Sequence, residues 1–278
     1  MRKIIYNFAE KDNGQRTTVI WYAYFMGKVC CQWSVVCRLM KDMKKETDAM
    51  GKAIADFYKG RRDGKLCVLS PMFDDDEIPL ETLFRTFRYM PKLEQKALKM
   101  AKGRTLDVGA GSGCHSLWLQ EKGIDVTAID ISPYSVETMK ERGLKNVIEQ
   151  DFFTLEEKYD TILMLMNGIG IVGTIDKLPA FFKHIDKVLA DDGQLLCDSS
   201  DLCYLYEDED GIIELPDDGK YYGELEYTMC YDDIKGDSFP WLYIDANTLR
   251  NHAELHGFKM EIVRRGEHYD YLARITRL

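Results

Sequence analysis

Asp107, Gly109, Gly111 and Gly113 form the pattern D-x-G-x-G-x-G within LDVGAGSGCHSLWLQ. Leu106 and Val108 read as the end of a buried strand, and Leu117 and Leu119 as the apolar anchors of a helix that follows. Glycine accepts positive φ and lacks a Cβ, so such a turn brings backbone close to a ligand at the helix start, where N–H groups lack intrahelical partners. The dinucleotide fingerprint G-x-G-x-x-G needs its third glycine one residue later, where this chain has Cys114. An acid at the strand end suits a ligand with a positive amino group and would repel a pyrophosphate.

Two further acids follow in register. The run VTAID ends at Asp130, twenty-one residues after Gly109, with Ile131 next. That offset puts a carboxylate at the tip of the neighbouring strand, where it can accept both hydroxyls of a ribose. The run NVIEQDFF places Asp151 at a third strand tip, with Phe152 beside it. Together they offer an acceptor for an adenine edge and a flat apolar face for its ring.

On these residues, the stretch 103–199 resembles a class I S-adenosylmethionine (SAM) dependent methyltransferase of the small-molecule type. The resemblance implies an α/β, Rossmann-like fold with a mostly parallel seven-stranded sheet and an antiparallel last strand. It also implies SAM as cofactor, held at its methionine end by Asp107, Gly109, Gly111 and Gly113. Asp130 and Ile131 would take the ribose, Asp151 and Phe152 the adenine, and Asn167 would lie at the edge where the acceptor binds. The implied activity is methyl transfer to a small molecule. A SAM-binding protein without catalysis has the same donor motifs. A nucleotide-dependent oxidoreductase is the other alternative, and the glycine spacing disfavours it.

Composition narrows the partners. The chain has 278 residues, 45% of them hydrophobic, and a formal net charge of −10. Length allows one α/β domain with additions. The charge disfavours nucleic acid, which is tracked by basic surfaces. Eight cysteines without C-x-x-C spacing suit a reducing, cytoplasmic setting. The spacing of His252 and His256 in H-A-E-L-H is not the H-E-x-x-H zinc pattern, so no metal is expected.

The elements that must position these residues can be read along the chain. Residues 1–42 read as an extension; within it Thr17 to Met40 is rich in Trp, Tyr, Val and Cys but interrupted by Lys28, Gln32 and Arg38, so no membrane span is expected, with a weak interfacial anchor as the alternative. A single domain is expected over 43–278: a helical cap over 43–103, a SAM-binding core over 104–199, an insertion over 200–245, and a closing helix and hairpin over 246–278. In the cap, helices are expected over about 47–58, from Pro79 to Met90, and from Pro91 to Gly103. Tyr58 is a candidate to close over the cofactor, with core packing as the alternative. Phe84, Arg85, Arg88 and Tyr89 are candidates for the pocket wall. Strands then alternate with helices, which implies a parallel sheet with right-handed crossovers. The tip NGIGIVG carries Asn167 to the carboxyl edge, where open α/β sheets bind ligands. It lacks the N/D-P-P-Y motif of enzymes that methylate amino groups of nucleic acids.

From Asp201 to Asp237 there are thirteen acids and two lysines, with tyrosines interleaved. YYGELEYTMCYD and GDSFPWLYID read as a hairpin turning at Gly236. It is either a charge-blunted extension or a lid for a cationic or hydroxylated substrate. The final hairpin implied by the family would turn within RGEHYDY at the same sheet edge. That makes His268 the histidine of five placed near substrate, a candidate base or else a solvent-exposed turn residue.

Overall fold

The structure, a computed structural model, describes residues 44–208, 210–216, 219–267 and 269–278. The expected extension over 1–42 and the candidate base His268 therefore lie outside the described residues. Met43–Leu278 form one compact unit. Among the described residues no helix is long and apolar enough to cross a membrane.

The core is a seven-stranded sheet built from β3 (Thr105–Val108), β4 (Val126–Asp130), β5 (Val147–Glu149), β6 (Tyr159–Met164), β7 (Leu189–Ser200), β11 (Phe258–Arg265) and β12 (Asp270–Arg277). Their order is β11-β12-β7-β6-β3-β4-β5. Only β12 runs against its neighbours, and every other pairing is parallel. Side chains alternate across the sheet, as period two requires. Ile162, Met164, Leu195 and Cys197 face a cluster with Phe181, Phe182 and Ile185 of α6 (Leu178–Val188) and Leu249 of α7 (Ala246–Leu255). Leu163, Leu165 and Leu196 face the other way, onto Leu93 and Ala97 of α3 (Lys92–Met100) and Leu119 of α4 (Cys114–Glu121). With both faces covered, the central strands need no polar face.

The cap begins with α1 (Ala49–Tyr58), whose first turn is capped by Asp48 accepting the Gly51 N–H at 2.8 Å. The single helix expected from Pro79 to Met90 is instead a short α2 (Leu80–Leu83) and a 3-10 turn, Phe87–Tyr89. Side chains take the carbonyls that would propagate it. Arg85 Nη1 donates to Thr82 O at 2.7 Å, and Ser112 Oγ donates to Leu83 O.

The insertion is not a free hairpin. β8 (Glu224–Tyr231) pairs antiparallel with β1 (Leu66–Leu69) on one side and with β10 (Phe239–Leu242) on the other. β2 (Asp76–Ile78) and the short β9 (Ile234–Lys235) complete a second sheet of five strands. The turn falls at Asp232–Asp233 rather than at Gly236, since Tyr231 pairs with Ile234. Asp232 adopts φ +53°, a conformation that a short polar side chain tolerates. This sheet joins two segments that the sequence suggests are separate, the cap and the insertion.

Candidate active site

The glycine loop divides into two parts. Gly109 (φ +66°) is exposed, and a Cβ placed on it would meet nothing within 4 Å. Gly111 (φ +57°) is nearly as open, its nearest side-chain atom being Ile54 Cδ1 at 3.8 Å. Gly113 (φ +80°) is different, because a Cβ there would run into Leu144 and Met139. The first two glycines therefore leave an open cradle, while the third lets α4 pack on α5 (Pro133–Glu141) and its following turn.

Asp130 closes one side of this cradle. Its Oδ2 accepts the Gly111 N–H and its Oδ1 the Ser132 N–H, both at 2.8 Å. Burial, with Asp48 and Asp107 nearby, pushes its carboxyl up to about 6, against the pull of those two amides. Ile131 beside it is 40% exposed, an apolar surface at the same strand tip. Ser132 Oγ donates to Asp48 Oδ2 at 2.6 Å, which ties the start of α1 to this edge. Tyr58 is 39% exposed rather than packed in the core, and its hydroxyl donates to Glu141 O at 3.2 Å.

Asp151 sits at its strand tip and accepts the Phe153 N–H at 2.9 Å. The flat face expected from Phe152 is not there. Its ring is 1% exposed, packed edge-on to His184 and against Phe181. The Phe152 carbonyl oxygen is likewise engaged, by His184 Nε2 at 2.8 Å.

Asp107 is also buried, and its Oδ2 accepts Ser116 Oγ at 2.6 Å, bracing the first turn of α4 from within. Burial raises its carboxyl above the usual range despite the Ser116 bond. Beside it, Glu94 binds Arg85 and accepts from His115 Nε2 at 2.8 Å. Burial opposes both charges of the Glu94–His115 pair. The partners prevail, holding the carboxyl below and the imidazole above their ordinary values. Arg85 thus belongs to this internal network, whereas Tyr89 is 73% exposed.

At the tip of β6, Met166 (φ +64°) and Asn167 (φ +57°) are consecutive non-glycine residues in the left-handed region, a costly conformation that needs support. Asp198 of β7 supplies it, as Oδ1 accepts the N–H groups of Asn167 at 2.9 Å and Gly168 at 3.4 Å. The second sheet covers the same tip. Asn167 Nδ2 donates to Leu242 O at 3.4 Å, Ile244 N–H donates to Ser199 Oγ at 3.0 Å, and Trp241 lies where a Cβ on Gly170 would collide with its ring. Tyr227 and Tyr243 share a hydroxyl hydrogen bond of 3.3 Å, and Tyr204 stacks on Tyr269 at 5.0 Å.

An open α/β sheet with one reversed strand, a glycine cradle and a carboxylate at the next strand tip define a class I methyltransferase, whose donor is SAM. Residues 83–261 match the family model described as a methyltransferase domain, and the chain belongs to that family. It is 52% identical to a SAM-dependent methyltransferase from Bacteroides fragilis, solved with S-adenosyl-L-homocysteine. That match covers 85% of this chain and 98% of the other, with a TM-score of 0.81. The CcbJ methyltransferase of Streptomyces caelestis shares the fold at 14% identity and a TM-score of 0.55, over 84% of this chain and 99% of that one. YqeM of Bacillus subtilis strain 168, named a methyltransferase, is 28% identical over 104 residues. Those residues are 35% of this chain and 42% of that relative's length.

Proposed function

We propose that this chain transfers a methyl group from SAM to a small-molecule acceptor seated between the β6 tip and the second sheet. The observation that carries the reading is the open space at Gly109 and Gly111 beside the Asp130 carboxylate. When bound, the sulfonium supplies a methyl carbon already activated for in-line displacement. The work left to the chain is orientation and exclusion of water.

In this reading the Gly109–Gly111 backbone holds the amino-acid end, with Asp107 acting from behind the loop. Asp130 takes the ribose hydroxyls and Ile131 packs on the nucleoside. Asp151 meets the adenine edge. Asn167 and Met166, 40% exposed, face the acceptor. His268 remains a candidate base by its place in the sequence. The acidic second sheet disfavours nucleic acid as acceptor. Five cysteines among the described residues are free and buried or half-buried, which suits a reducing, cytoplasmic compartment.

Calorimetry with SAM tests the donor site. Asp130→Ala removes charged acceptors worth roughly 1.5–3 kcal/mol each, so affinity should fall about tenfold or more. Unchanged affinity would refute the assignment. Formation of S-adenosylhomocysteine in the presence of a metabolite extract separates an enzyme from a SAM-binding protein.

A further inference from the structure

We infer that the methyl acceptor is an amine, and that the free oxygen of Asp198 takes its proton before transfer. The inference rests on the methyltransferase reading above and specifies the acceptor class of that same site.

Asp198 follows Leu196 at period two, so it points to the sheet face that carries α3 and α4. Its Oδ1 is committed to the two amides of the left-handed tip. Its Oδ2 has no hydrogen-bond partner among the described residues, and part of the residue reaches solvent. On the residue whose backbone N–H that carboxylate accepts, the Asn167 side-chain oxygen is buried and unpartnered. The β6 tip thus has two acceptor oxygens, one from each residue, without a donor among the described residues. A neutral hydroxyl has one proton to give; an ammonium has three.

The surroundings favour a cation as well. Glu94 from α3 and His115 from α4 face Asp198, but they are engaged with each other, and Arg85 is engaged with Glu94. Tyr243, which follows β10, is close enough for the Asp198 charge to help raise its phenol, and its hydroxyl meets that of Tyr227. Tyrosine faces attract ammonium groups. No cation of the protein's own, among the described residues, pairs with the Asp198 carboxylate.

Proton affinity points the same way. Burial and the Glu94 charge push the Asp198 carboxyl up to about 7. An alkylammonium, like lysine, releases its proton near about 10, whereas an aliphatic hydroxyl, like bulk water, holds its proton far more tightly. The first transfer is within reach of this carboxylate and the second is not.

The step balances. Asp198 takes one proton from the ammonium, leaving a neutral amine with a lone pair. That pair forms the C–N bond to the methyl carbon as the C–S bond breaks and its electrons stay on sulfur. The nitrogen gains the positive charge that the sulfonium loses, and Asp198 returns its proton to solvent on product release.

The test uses the full chain with SAM and matched probes: benzylamine, phenethylamine and cyclohexylamine, their alcohols, and benzyl mercaptan. S-adenosylhomocysteine should form with at least one amine and at least tenfold more slowly with its oxygen or sulfur counterpart. Asp198→Asn keeps an oxygen for the Asn167 amide but cannot take the proton. Its turnover of the amine should fall by about 10²-fold or more, with unchanged SAM affinity and loss of the acid limb near pH 7. No turnover with any amine, or full turnover in the variant, overturns the inference. SAM binding by calorimetry is read alongside, so that loss of the donor reading itself is seen separately.

Discussion

Asp130 and Asp198 are carboxylates whose burial raises them above an unfolded value near about 4. Each therefore binds its proton more readily in the folded chain than in the unfolded one. For Asp198 the folded value is about 7. The contribution of this group to stability is thus greatest below pH about 4 and is lost progressively as pH rises through about 7. Asp198→Asn removes that loss while keeping the support of the β6 tip. Its advantage over the parent chain should be absent at pH 4 and reach roughly 1–2 kcal/mol at pH 8, discounted for the part of Asp198 that meets solvent. Thermal unfolding at both pH values measures it, and a variant less stable at pH 8 than at pH 4 relative to the parent would show the sign to be wrong. The two acids differ in legibility. The position of Asp130 is given by an offset from the glycines that any strand–helix–strand unit must keep. Asp198 lies in LLCDSSD, which reads as an apolar strand passing into a polar loop, and its role depends on amides contributed by a different strand. Phe152 fails for a related reason: the sequence shows an aromatic at a strand tip but not which way the 3-10 turn after Asp151 rotates it.

At the scale of elements, local punctuation was enough for the alternating core and not for the second sheet. Pro133, Gly123 and Gly143 mark helix ends that the structure keeps. Leu66–Leu69 is too short and apolar to declare a partner, and its partner, β8, lies about 160 residues further along the chain. Such a pairing carries a loop-closure cost that no local signal announces. The pairing also changes the expectation for mobility. β8 is hydrogen-bonded on both sides, whereas the described residues of 202–216 hold a 3-10 turn (Leu202–Tyr206) and the bridge Glu207–Ile213, with Leu205, Ile212, Ile213 and Leu215 exposed. Amides of 224–231 should resist hydrogen exchange without ligand. Those of 202–216 should exchange quickly and gain at least several-fold protection with S-adenosylhomocysteine plus benzylamine. Equal exchange rates in the two segments would mean that the second sheet opens as a unit.

For the whole molecule, the question is which residues the fold requires. The segment Met43–Leu278 forms a compact unit of its own. Its first helix starts at Ala49, capped by Asp48, and the start is fixed to the core through Ser132. Among the described residues, both sheets draw their strands from Leu66 onward. Apart from the candidate base His268, every residue placed at the donor and acceptor sites lies between 85 and 243, and the match to the family model runs from 83 to 261. The composition of 1–42 differs from that of the remainder, and Met43 follows directly. A chain beginning at Met43 should therefore unfold within about 2 °C of the full chain, a shift smaller than about 1 kcal/mol produces in a domain of this size. It should also bind SAM with the same affinity and turn over an amine probe at the same rate. A drop of several degrees with unchanged SAM affinity would assign residues 1–42 to the stability of the domain. A loss of SAM affinity at an unchanged melting temperature would assign them to the donor site.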